Sequence, residues 1–346
     1  MQASHANAPV TLDSSLYGDP SLYARERKAI FARSWLFVGH ESQLAEPGAV
    51  LAATIAGFPV LVVRDENALK AYHNVCRHRA GPLAPDGESV CAGRLTCRYH
   101  GWSYMLDGRL ASARDFGPAR DFDPRDYSLF PLRCESWKGL VFVNADPESQ
   151  SFRAQNAELA RSIESLDGSL RVVHRASHPI RCNWKTYVEN YLEGYHVPLI
   201  HPALDASGDF RTYDVGLAGN GVLHRVAAKS DAAIAGIWVW LWPCLAINLY
   251  ADGVLLERMN PLGHDAMTLD YLFLAPPHTS EKDVQRSLDA SLITTREDIA
   301  ICEAVQRNLD AGIYREGRLS PKHEQGVAWF QSEVRRALGN TSGENG

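Results

Sequence analysis

The chain has 346 residues, of which 45% are hydrophobic and 22% are charged, close to the averages for globular proteins. This composition excludes a disordered, collagenous or coiled-coil protein, and the net charge of -6 argues against a nucleic-acid binder with a basic face. The longest apolar runs, at 139–143 and 237–241, are far shorter than the ~20 residues needed to span a bilayer. We therefore expect a soluble protein with neither a membrane nor a nucleic-acid partner.

The first residues, 1–13, are polar and alanine-rich and do not resemble a signal peptide, so a cytoplasmic location is expected. Seven cysteines are an odd and modest number for this length, which disfavours a disulfide framework. Special cysteines in such a chain more commonly bind metal, and two of the seven stand close to histidines.

The hydrophobic pattern changes along the chain. It predicts a helix over 16–35, after which short apolar runs separated by Gly, Pro and Asp predict a small antiparallel β domain at 40–150. Further along, it predicts a helix over 152–166, strand-like alternation over 215–275 and a long helix over 280–311. The fold class is therefore α+β.

These changes divide the chain into four segments. We predict an N-terminal helical segment at 1–39, the β domain at 40–150 and a second, α+β domain at 151–338. The remaining residues, 339–346, are rich in Gly, Asn and Ser and are expected to form a flexible tail.

Two short Cys/His pairs are the strongest chemical signal in the chain. Cys76 precedes His78 by two residues, and Cys97 precedes His100 by three. Two such turns, brought together, offer two sulfurs to one metal and two nitrogens to another, as in a [2Fe-2S] Rieske centre. A single Zn²⁺ accepts the same ligand types, so a zinc-stabilised structural protein is an alternative interpretation.

The residues that follow each pair favour iron over zinc. Gly81 and Gly101 let backbone amides approach the cluster sulfurs. Together with Trp102, these segments resemble the Rieske domain of the Rieske non-heme iron oxygenases, whose usual pattern is Cys-X-His, a loop, then Cys-X-X-His-Gly-Trp. The loop over 79–96 is a residue or so longer than is common, which affects its geometry and not the ligand identities.

An oxygenase of this family needs a second metal site, which we expect in the segment 183–202. Glu193 and His196 are three residues apart and are expected to share one helix face. Pro198 is expected to end that helix, so that the chain turns before it presents His201. Two histidines and one distant carboxylate form the facial triad that binds Fe(II) and leaves positions open for dioxygen and substrate.

The resemblance places the third iron ligand in the acidic segment 296–303 of the long C-terminal helix. We select Asp298, with Glu297 as the alternative and an ordinary solvated acidic turn as the non-functional interpretation. Glu193 stands where most family members have an aspartate that bridges an iron histidine and a cluster histidine of the neighbouring subunit, and relatives that oxidise quaternary amines have glutamate there. Glu193 is therefore a candidate catalytic residue, with direct ligation of iron as its competing role, and Asn190 in the same segment is the second candidate.

Three tryptophans alternate in the sequence at Trp238, Trp240 and Trp242, which predicts that they share one face of a strand. One interpretation is an aromatic wall that stacks on an aromatic substrate or attracts a quaternary ammonium group by cation-π interaction. The other is a sheet face that packs under helices.

The resemblance implies the terminal oxygenase component of a Rieske system, in which a Rieske domain is joined to a helix-covered antiparallel-sheet catalytic domain of the helix-grip type. Its cofactors would be a [2Fe-2S] cluster at the four Cys/His ligands and Fe(II) at the predicted triad, with O2 as co-substrate. The sequence has no convincing dinucleotide fingerprint, so NAD(P)H would act through a separate reductase, with or without a ferredoxin. A head-to-tail homotrimer is implied, with α3β3 as the alternative assembly.

Two reactions on a small organic substrate are left open by the sequence. One is ring hydroxylation or dihydroxylation of an aromatic acid, and the other is oxidative N- or O-demethylation with loss of formaldehyde. A function of another class, a Rieske electron carrier with a non-catalytic binding domain, is the alternative to both.

Overall fold

The computed structural model describes residues 8–66, 68–87, 89–161, 163, 166, 169–228, 234–250 and 253–339. These residues form two compact units: one takes in the described residues of 31–155 and 165–172, and the other those of 1–30, 156–164 and 173–346. The predicted division of the chain at residues 39, 150 and 338 stays a prediction. Apart from Gly339, the predicted tail lies outside the described residues.

The first unit is built from antiparallel strands. In its described part, seven strands form one sheet in the order β1-β10-β9-β4-β3-β2-β5, and three form a second sheet in the order β6-β7-β8. The strands are β1 (Leu36–His40), β2 (Ala49–Ile55), β3 (Phe58–Arg64), β4 (Leu69–His73), β5 (Ser89–Cys91), β6 (Leu95–Thr96), β7 (Ser103–Tyr104), β8 (Leu110–Ser112), β9 (Pro131–Trp137) and β10 (Leu140–Asn144).

Two tight hairpins set the register of the larger sheet. The β2–β3 turn has Ala56 and Gly57 at φ 48° and 74°, and the β9–β10 turn has Lys138 and Gly139 at φ 52° and 81°. Two consecutive left-handed residues match the twist of antiparallel strands, which is why such turns close hairpins. The strands beside them enclose a hydrophobic core that also contains the predicted cluster cysteines and their aromatic neighbours.

The second unit has a seven-stranded sheet among its described residues, in the order β11-β17-β16-β15-β14-β13-β12. From β12 to β17 each strand pairs antiparallel with the next, as the alternation in the sequence predicts. The strands are β11 (Arg171–Ile180), β12 (Gly208–Ala218), β13 (Gly221–Ala228), β14 (Ile234–Leu241), β15 (Leu245–Tyr250), β16 (Gly253–Pro261) and β17 (Met267–Ala275).

Helices cover this second sheet. They include α5, which packs against α8, α9 and β16, and α9, which also contacts β12. Across the two units, the helices among the described residues are α1 (Ser15–Gly18), α2 (Pro20–Ala29), α3 (Phe152–Gln155), α4 (Ala157–Ala160), α5 (Trp184–Tyr191), α6 (Val197–Ile200), α7 (Pro202–Ser207), α8 (Glu281–Asp310) and α9 (Gln325–Ala337). The expected α+β class with a helix-covered antiparallel sheet is confirmed.

One of the three predicted helices is confirmed, and the other two are each broken into shorter helices. The long helix is confirmed as α8, and the Ser280 hydroxyl caps it by accepting the Asp283 backbone N–H at 3.2 Å. The single helix predicted over 16–35 is wrong, because Pro20 lacks a backbone N–H and starts a new helix that Asp19 caps. The helix predicted over 152–166 is also broken, since Asn156 leaves helical geometry between α3 and α4.

Within the part of the chain that the structure covers, no helix combines the length and the apolar character needed to cross a membrane.

Candidate metal centres and substrate cavity

The two predicted cluster loops have the same hydrogen-bonding pattern. In the first, the Cys76 N–H donates to Gly81 O at 2.9 Å and the Ala80 N–H donates to Cys76 O at 3.0 Å. In the second, the Cys97 N–H donates to Trp102 O at 2.8 Å. Each loop thus curls around its cysteine and closes on a residue five positions later.

The residue four positions after each cysteine adopts a left-handed conformation. It is Ala80 in the first loop, at φ 56°, and Gly101 in the second, at φ 77°. The Gly101 N–H donates to Cys97 O at 2.9 Å, as the Ala80 N–H does to Cys76 O. Gly81 has a different reason to lack a side chain, because a Cβ there would lie 2.8 Å from the Cys97 sulfur.

These loops bring the four predicted ligands together. Cys76 and Cys97 are 3% and 2% exposed, and the rings of His78 and His100 lie 4.6 Å apart at 75°. Trp102 stacks on His78 at 4.9 Å and 11°, which fixes the orientation of that ring. His100, in contrast, is exposed.

The donor set fits an iron–sulfur cluster. His78 Nδ1 is buried and has no hydrogen-bond partner among the described residues, an arrangement that is costly unless a metal takes the lone pair. Burial raises the pKa of the Cys97 thiol, and the neighbouring Cys76 adds to that shift, so a bound cation is needed to hold the Cys97 sulfur as a thiolate. The two loops therefore offer two sulfurs and two nitrogens in one place, as a Rieske cluster requires.

The Tyr104 hydroxyl contacts the first cluster loop at Cys76 and Arg77. The Arg77 backbone N–H donates to the Tyr104 hydroxyl oxygen at 3.0 Å, so the hydroxyl hydrogen is available to the Cys76 sulfur at 3.3 Å. Burial, followed by the hydrogen bond with Cys76, raises the pKa of Tyr104 above its ordinary value, so the phenol stays neutral and remains a donor. Hydrogen bonds to ligand sulfurs are one of the means by which proteins tune a cluster's potential.

In the second unit, the predicted triad converges at one point. Ligand atoms of His196, His201 and Asp298 all lie within 4.8 Å of one another. The two Nε2 atoms are 3.1 Å apart, and Asp298 Oδ1 is 2.9 Å from His201 Nε2 and 3.7 Å from His196 Nε2. His201 is 1% exposed, so this cluster is held within the unit.

Two further carboxylates set the tautomers of the histidines. Glu193 Oε1 lies 2.5 Å from His196 Nδ1, and Glu297 Oε2 lies 2.7 Å from His201 Nδ1. Each Nδ1 therefore carries the proton, and each Nε2 directs its lone pair towards Asp298. Two lone pairs and a carboxylate that face one another repel unless a cation lies between them, so the donor set fits Fe(II).

The local backbone differs from the expectation for this segment. Glu193 and His196 do not share a helix face, because α5 ends at Tyr191 and they lie in the turn that follows. Pro198 does not end a helix but occupies the first turn of the short α6, where its missing N–H costs nothing. The turn still brings Glu193 against His196, since Glu193 Oε2 also accepts the His196 backbone N–H at 3.2 Å.

Asn190 and Glu297 contact the triad from opposite sides. The Asn190 amide donates to Asp298 Oδ1 at 2.6 Å. Asp298 lies on the Nε2 side of His201, together with His196, whereas Glu297 lies on the Nδ1 side. Glu297 could be the third ligand only if the metal bound His201 through Nδ1 and not through Nε2.

A cavity of about 180 Å³ opens beside the triad. This volume is below the ~300 Å³ at which cavities for drug-sized ligands begin, so it favours a small substrate. The aromatic residues in its lining are Tyr187, Tyr191, Phe210, Tyr213, Trp238 and Tyr250.

The tryptophans of β14 serve both of the predicted roles. Trp238 lines the cavity and stacks on Phe210 at 6.5 Å and 20°. Trp240 is fully buried and packs edge-on against Phe330 of α9 at 5.4 Å. Trp242 lies beyond the end of β14 and also packs on Phe330, at 5.9 Å. Of the three tryptophans, only Trp238 therefore belongs to the aromatic wall, which is completed by residues from other strands and from α5.

Glu257, on β16, is a cavity residue that the sequence did not single out. It is 8% exposed, and burial, followed by the charge of Asp298, raises its pKa to about 8. His224, from β13, also lines the cavity, and burial lowers its pKa to about 3, so it is neutral. Both lie on strands that are rich in apolar residues, so the sequence pattern did not indicate that they line a cavity.

A β unit with a Cys2His2 loop pair and an α+β unit with a 2-His-1-carboxylate cluster define an iron-dependent oxygenase. Two family descriptions match this chain: "Rieske [2Fe-2S] domain" over residues 34–123 and "Ring hydroxylating alpha subunit (catalytic domain)" over residues 166–340. The chain belongs to the Rieske non-heme iron oxygenases, as a catalytic α subunit. It is an oxidoreductase that carries a [2Fe-2S] cluster and a mononuclear iron, and it uses O2 with electrons from NAD(P)H delivered through a reductase.

The chain is similar over nearly its whole length to two oxygenases of quaternary ammonium compounds. It is 32% identical to the carnitine monooxygenase oxygenase subunit of Escherichia coli (strain K12), over 93% of this chain and 92% of that protein. It is 31% identical to the chloroplastic choline monooxygenase of Spinacia oleracea, over 95% of this chain and 78% of that protein.

A solved structure supports the same relationship. The quaternary ammonium Rieske monooxygenase CntA in complex with L-carnitine superposes with a TM-score of 0.86 at 27% identity, covering 96% of both chains. CntA has also been solved with γ-butyrobetaine, and another structure of a quaternary ammonium Rieske monooxygenase bears on inter-subunit electron transfer.

Proposed function

We propose that this oxygenase hydroxylates an N-methyl carbon of a small quaternary ammonium compound. The observation that carries the proposal is the lining of the cavity beside the triad. It combines aromatic rings with the carboxyl groups of Glu193, Glu257 and Asp298, and among its described lining residues there is neither a lysine nor an arginine. Such a wall attracts a cation and offers no cationic side chain to an anion.

In this proposal, Cys76, His78, Cys97 and His100 would hold the cluster. His196, His201 and Asp298 would hold the mononuclear iron. When bound, the two groups supply the electrons and the activated oxygen for C–H hydroxylation. Glu193 and Glu297 keep each histidine in the tautomer that leaves Nε2 unprotonated. Asn190 orients Asp298 by donating to its carboxylate.

The substrate's cationic head is placed by the aromatic rings. Phe210 stacks between Tyr213, at 6.1 Å and 25°, and Trp238, at 6.5 Å and 20°. An ammonium group over such rings gains roughly 0.5–2 kcal/mol per contact. The rings are rigid and apolar, so they also exclude water from the methyl group that reacts.

The overall reaction balances with the established electron supply. One N–CH3 group becomes N–CH2OH as O2, two electrons and two protons yield the inserted oxygen and one water. The C–N bond then breaks: its electron pair stays on nitrogen, the hydroxyl proton is released, and the carbon leaves as formaldehyde. The product is a tertiary amine with one methyl group fewer.

Ring hydroxylation of an aromatic acid is the less well supported reaction. The aromatic walls would accept a ring, but the acid's carboxylate would enter a cavity that already contains three carboxyl groups. Burying a further anion without a cationic partner costs several kcal/mol.

The proposal includes a homotrimer in which Glu193 connects the iron of one subunit to the cluster of the next. The exposure of His100 is compatible with such a contact, and a related oxygenase is described in terms of inter-subunit electron transfer. Light scattering of the purified protein should give the mass of three chains. A monomer with full activity would exclude this assembly.

Single-turnover chemistry tests the proposed function without knowledge of the natural reductase. The iron-loaded protein is reduced anaerobically with dithionite, freed of excess reductant and mixed with oxygenated buffer that contains one substrate. Choline, L-carnitine, γ-butyrobetaine and tetramethylammonium represent the proposed class, and benzoate represents aromatic acids. We expect formaldehyde and the demethylated amine from at least one ammonium compound. Hydroxylated benzoate without any ammonium product would overturn the proposal.

A further inference from the structure

The cavity contains one carboxyl group that the metal site does not use. Glu257 lies on β16, between Ala246 of β15 and Tyr271 of β17 in the register of the sheet. It lines the same cavity as the triad, yet it makes none of the contacts that hold the histidines. A buried carboxyl group in a catalytic cavity calls for a partner.

The neighbours of Glu257 donate hydrogen bonds to it. The Asn248 amide donates to Glu257 Oε1 at 2.9 Å, and Tyr191 donates its hydroxyl hydrogen to Asn248 Oδ1 at 2.7 Å. Because the carbonyl side of the Asn248 amide is taken by Tyr191, its NH2 side must face Glu257. This chain of donors orients the carboxylate but brings it no positive charge.

The rest of the cavity does not neutralise Glu257 either. Asp298 is placed to neutralise the metal, and Glu193 is paired with His196. The remaining histidine, His224, is neutral. Among the described residues of the lining there is no lysine or arginine. Where Glu257 is ionised, it therefore has no cationic side chain beside it in the described lining, and a cation that enters the cavity can act as its partner.

We propose that Glu257 is a specificity-determining residue that pairs with the substrate's ammonium group and restricts the cavity to small cations without an acid group. This inference rests on the proposed function and narrows it. Zwitterions such as L-carnitine and γ-butyrobetaine, which the related CntA binds, bring a carboxylate into the same small cavity. That carboxylate would meet Glu257 and Asp298 and would find no cationic side chain in the described lining.

Binding measurements separate the charge from the shape of the ligand. The probes are choline, its uncharged carbon isostere 3,3-dimethyl-1-butanol, and L-carnitine. Each is titrated by calorimetry into the oxidised, iron-loaded protein at about pH 8.5, without an electron donor, so that affinity is read independently of turnover. We expect choline to bind at least about tenfold more tightly than either of the others, the size of one charge-assisted contact.

The Glu257→Gln variant removes the charge and keeps an acceptor for Asn248. We expect choline affinity to fall about tenfold while the affinity for the isostere is unchanged, so that the ratio between them collapses. The exposed Glu316→Gln is the matched control, since it makes the same change of charge away from the cavity, and it should leave that ratio as in the wild type. Glu257→Asp retains the charge and should retain most of the preference, which keeps the test decisive if the Gln variant folds poorly.

The outcomes distinguish this inference from the proposed function. Tight binding of choline with an unchanged ratio in Glu257→Gln would overturn the role of Glu257 alone. Equal binding of choline and L-carnitine by the wild type would do the same. If neither choline nor L-carnitine binds and a further titration shows that benzoate does, the proposed function and this inference are overturned together.

Discussion

The Asn190 side-chain amide donates to Asp298 Oδ1 across 2.6 Å, and the same oxygen lies 2.9 Å from His201 Nε2. One carboxylate oxygen therefore faces both a neutral donor and the metal position. The donor comes from α5 and the carboxylate from α8, two helices that pack against each other. We therefore propose that Asn190 is a positioning residue that acts through Asp298.

Removing this donor should weaken iron binding. In Asn190→Ala, Asp298 is no longer held, and loss of such an outer partner typically costs about 10- to 100-fold in metal affinity. Chelator competition followed by iron analysis measures the effect. Asn308→Ala, an exposed change on the same helix α8, is the control and should bind iron as the wild type does. Equal affinity in both variants would remove Asn190 from the site.

Glu193→Gln should separate iron binding from electron transfer. The amide keeps an oxygen that accepts from the turn, where Glu193 holds the backbone N–H of His196 at 3.2 Å, so both metals should stay bound. The negative charge beside His196 Nδ1 is lost, and we expect transfer from cluster to iron to slow by about tenfold or more. Stopped-flow absorbance of the reduced cluster, mixed with O2 and substrate, reports the rate.

The exposed Glu148→Gln provides the baseline for that experiment. If Glu193→Gln reoxidises its cluster as fast as this control, Glu193 is not on the path. If it loses the mononuclear iron, the competing role of Glu193 as a direct ligand is favoured.

Spacing in the sequence led to candidate residues that the structure brings together at each predicted centre, but it did not separate their roles. Short Cys/His pairs are local, and each lies within one turn, so the sequence displays them directly. Asp298 and Glu297 are adjacent on one helix, and only the orientation of His201 shows that one faces Nε2 and the other Nδ1. The sequence could not separate them because that orientation depends on a distant loop.

The residues that line the cavity were harder to predict from the sequence than the metal-binding candidates. Glu257 lies between apolar neighbours on a strand, and its partners Asn248 and Tyr191 come from another strand and from a helix. Strand alternation placed Trp238 and Trp240 in β14, but the prediction that Trp242 shares the same strand face is wrong, because the strand ends at Leu241. Alternation also could not show where the helices that cover the sheet end. Trp238 therefore faces the cavity, whereas Trp240 packs under α9.

Because Trp238 lines the cavity and Trp240 packs under α9, substitution by alanine should mainly weaken substrate binding at the first position and mainly lower stability at the second. Trp240→Ala removes a fully buried ring and should cost about 3–5 kcal/mol of stability, seen as a fall in Tm of several degrees. Trp238→Ala should leave Tm closer to that of the wild type and weaken the binding of an ammonium substrate about 3- to 30-fold, as expected for one lost cation-π contact. Calorimetric scans and titrations on the same preparations measure both. A substrate affinity unchanged in Trp238→Ala would exclude the aromatic wall.

Tyr104→Phe should lower the reduction potential of the cluster. The reduced cluster carries one more negative charge, and the hydrogen bond from Tyr104 to Cys76 at 3.3 Å stabilises that state. A bond worth ~1–1.5 kcal/mol corresponds to about 50 mV for one electron. Tyr72→Phe is the matched control, since its hydroxyl donates to Leu106 O in the same core. A redox titration that gives equal potentials for the two variants would contradict the tuning role.

Glu189 provides a prediction of pH dependence. Its carboxylate accepts from the Tyr17 hydroxyl at 2.6 Å and from the Gln331 amide at 2.9 Å, and it lines a second cavity of about 500 Å³. Burial raises the pKa of Glu189 from 4.5 to about 7, against the opposing effect of those hydrogen bonds and of Lys185. Between these two pH values the folded protein retains a proton that the unfolded chain has lost.

The contribution of Glu189 to the free energy of unfolding therefore falls as pH rises from 4.5 to about 7. Above that pH its contribution is constant. Glu189→Gln imitates the neutral acid at every pH and should not show this loss. The difference in Tm, variant minus wild type, should grow across that window and then level off, at the equivalent of at most about 2 kcal/mol once solvent screening is allowed for. The exposed Glu316→Gln should show no such slope. A difference that shrinks as pH rises would mean that Glu189 is ionised in the folded protein throughout, and that its hydrogen bonds and Lys185 outweigh its burial.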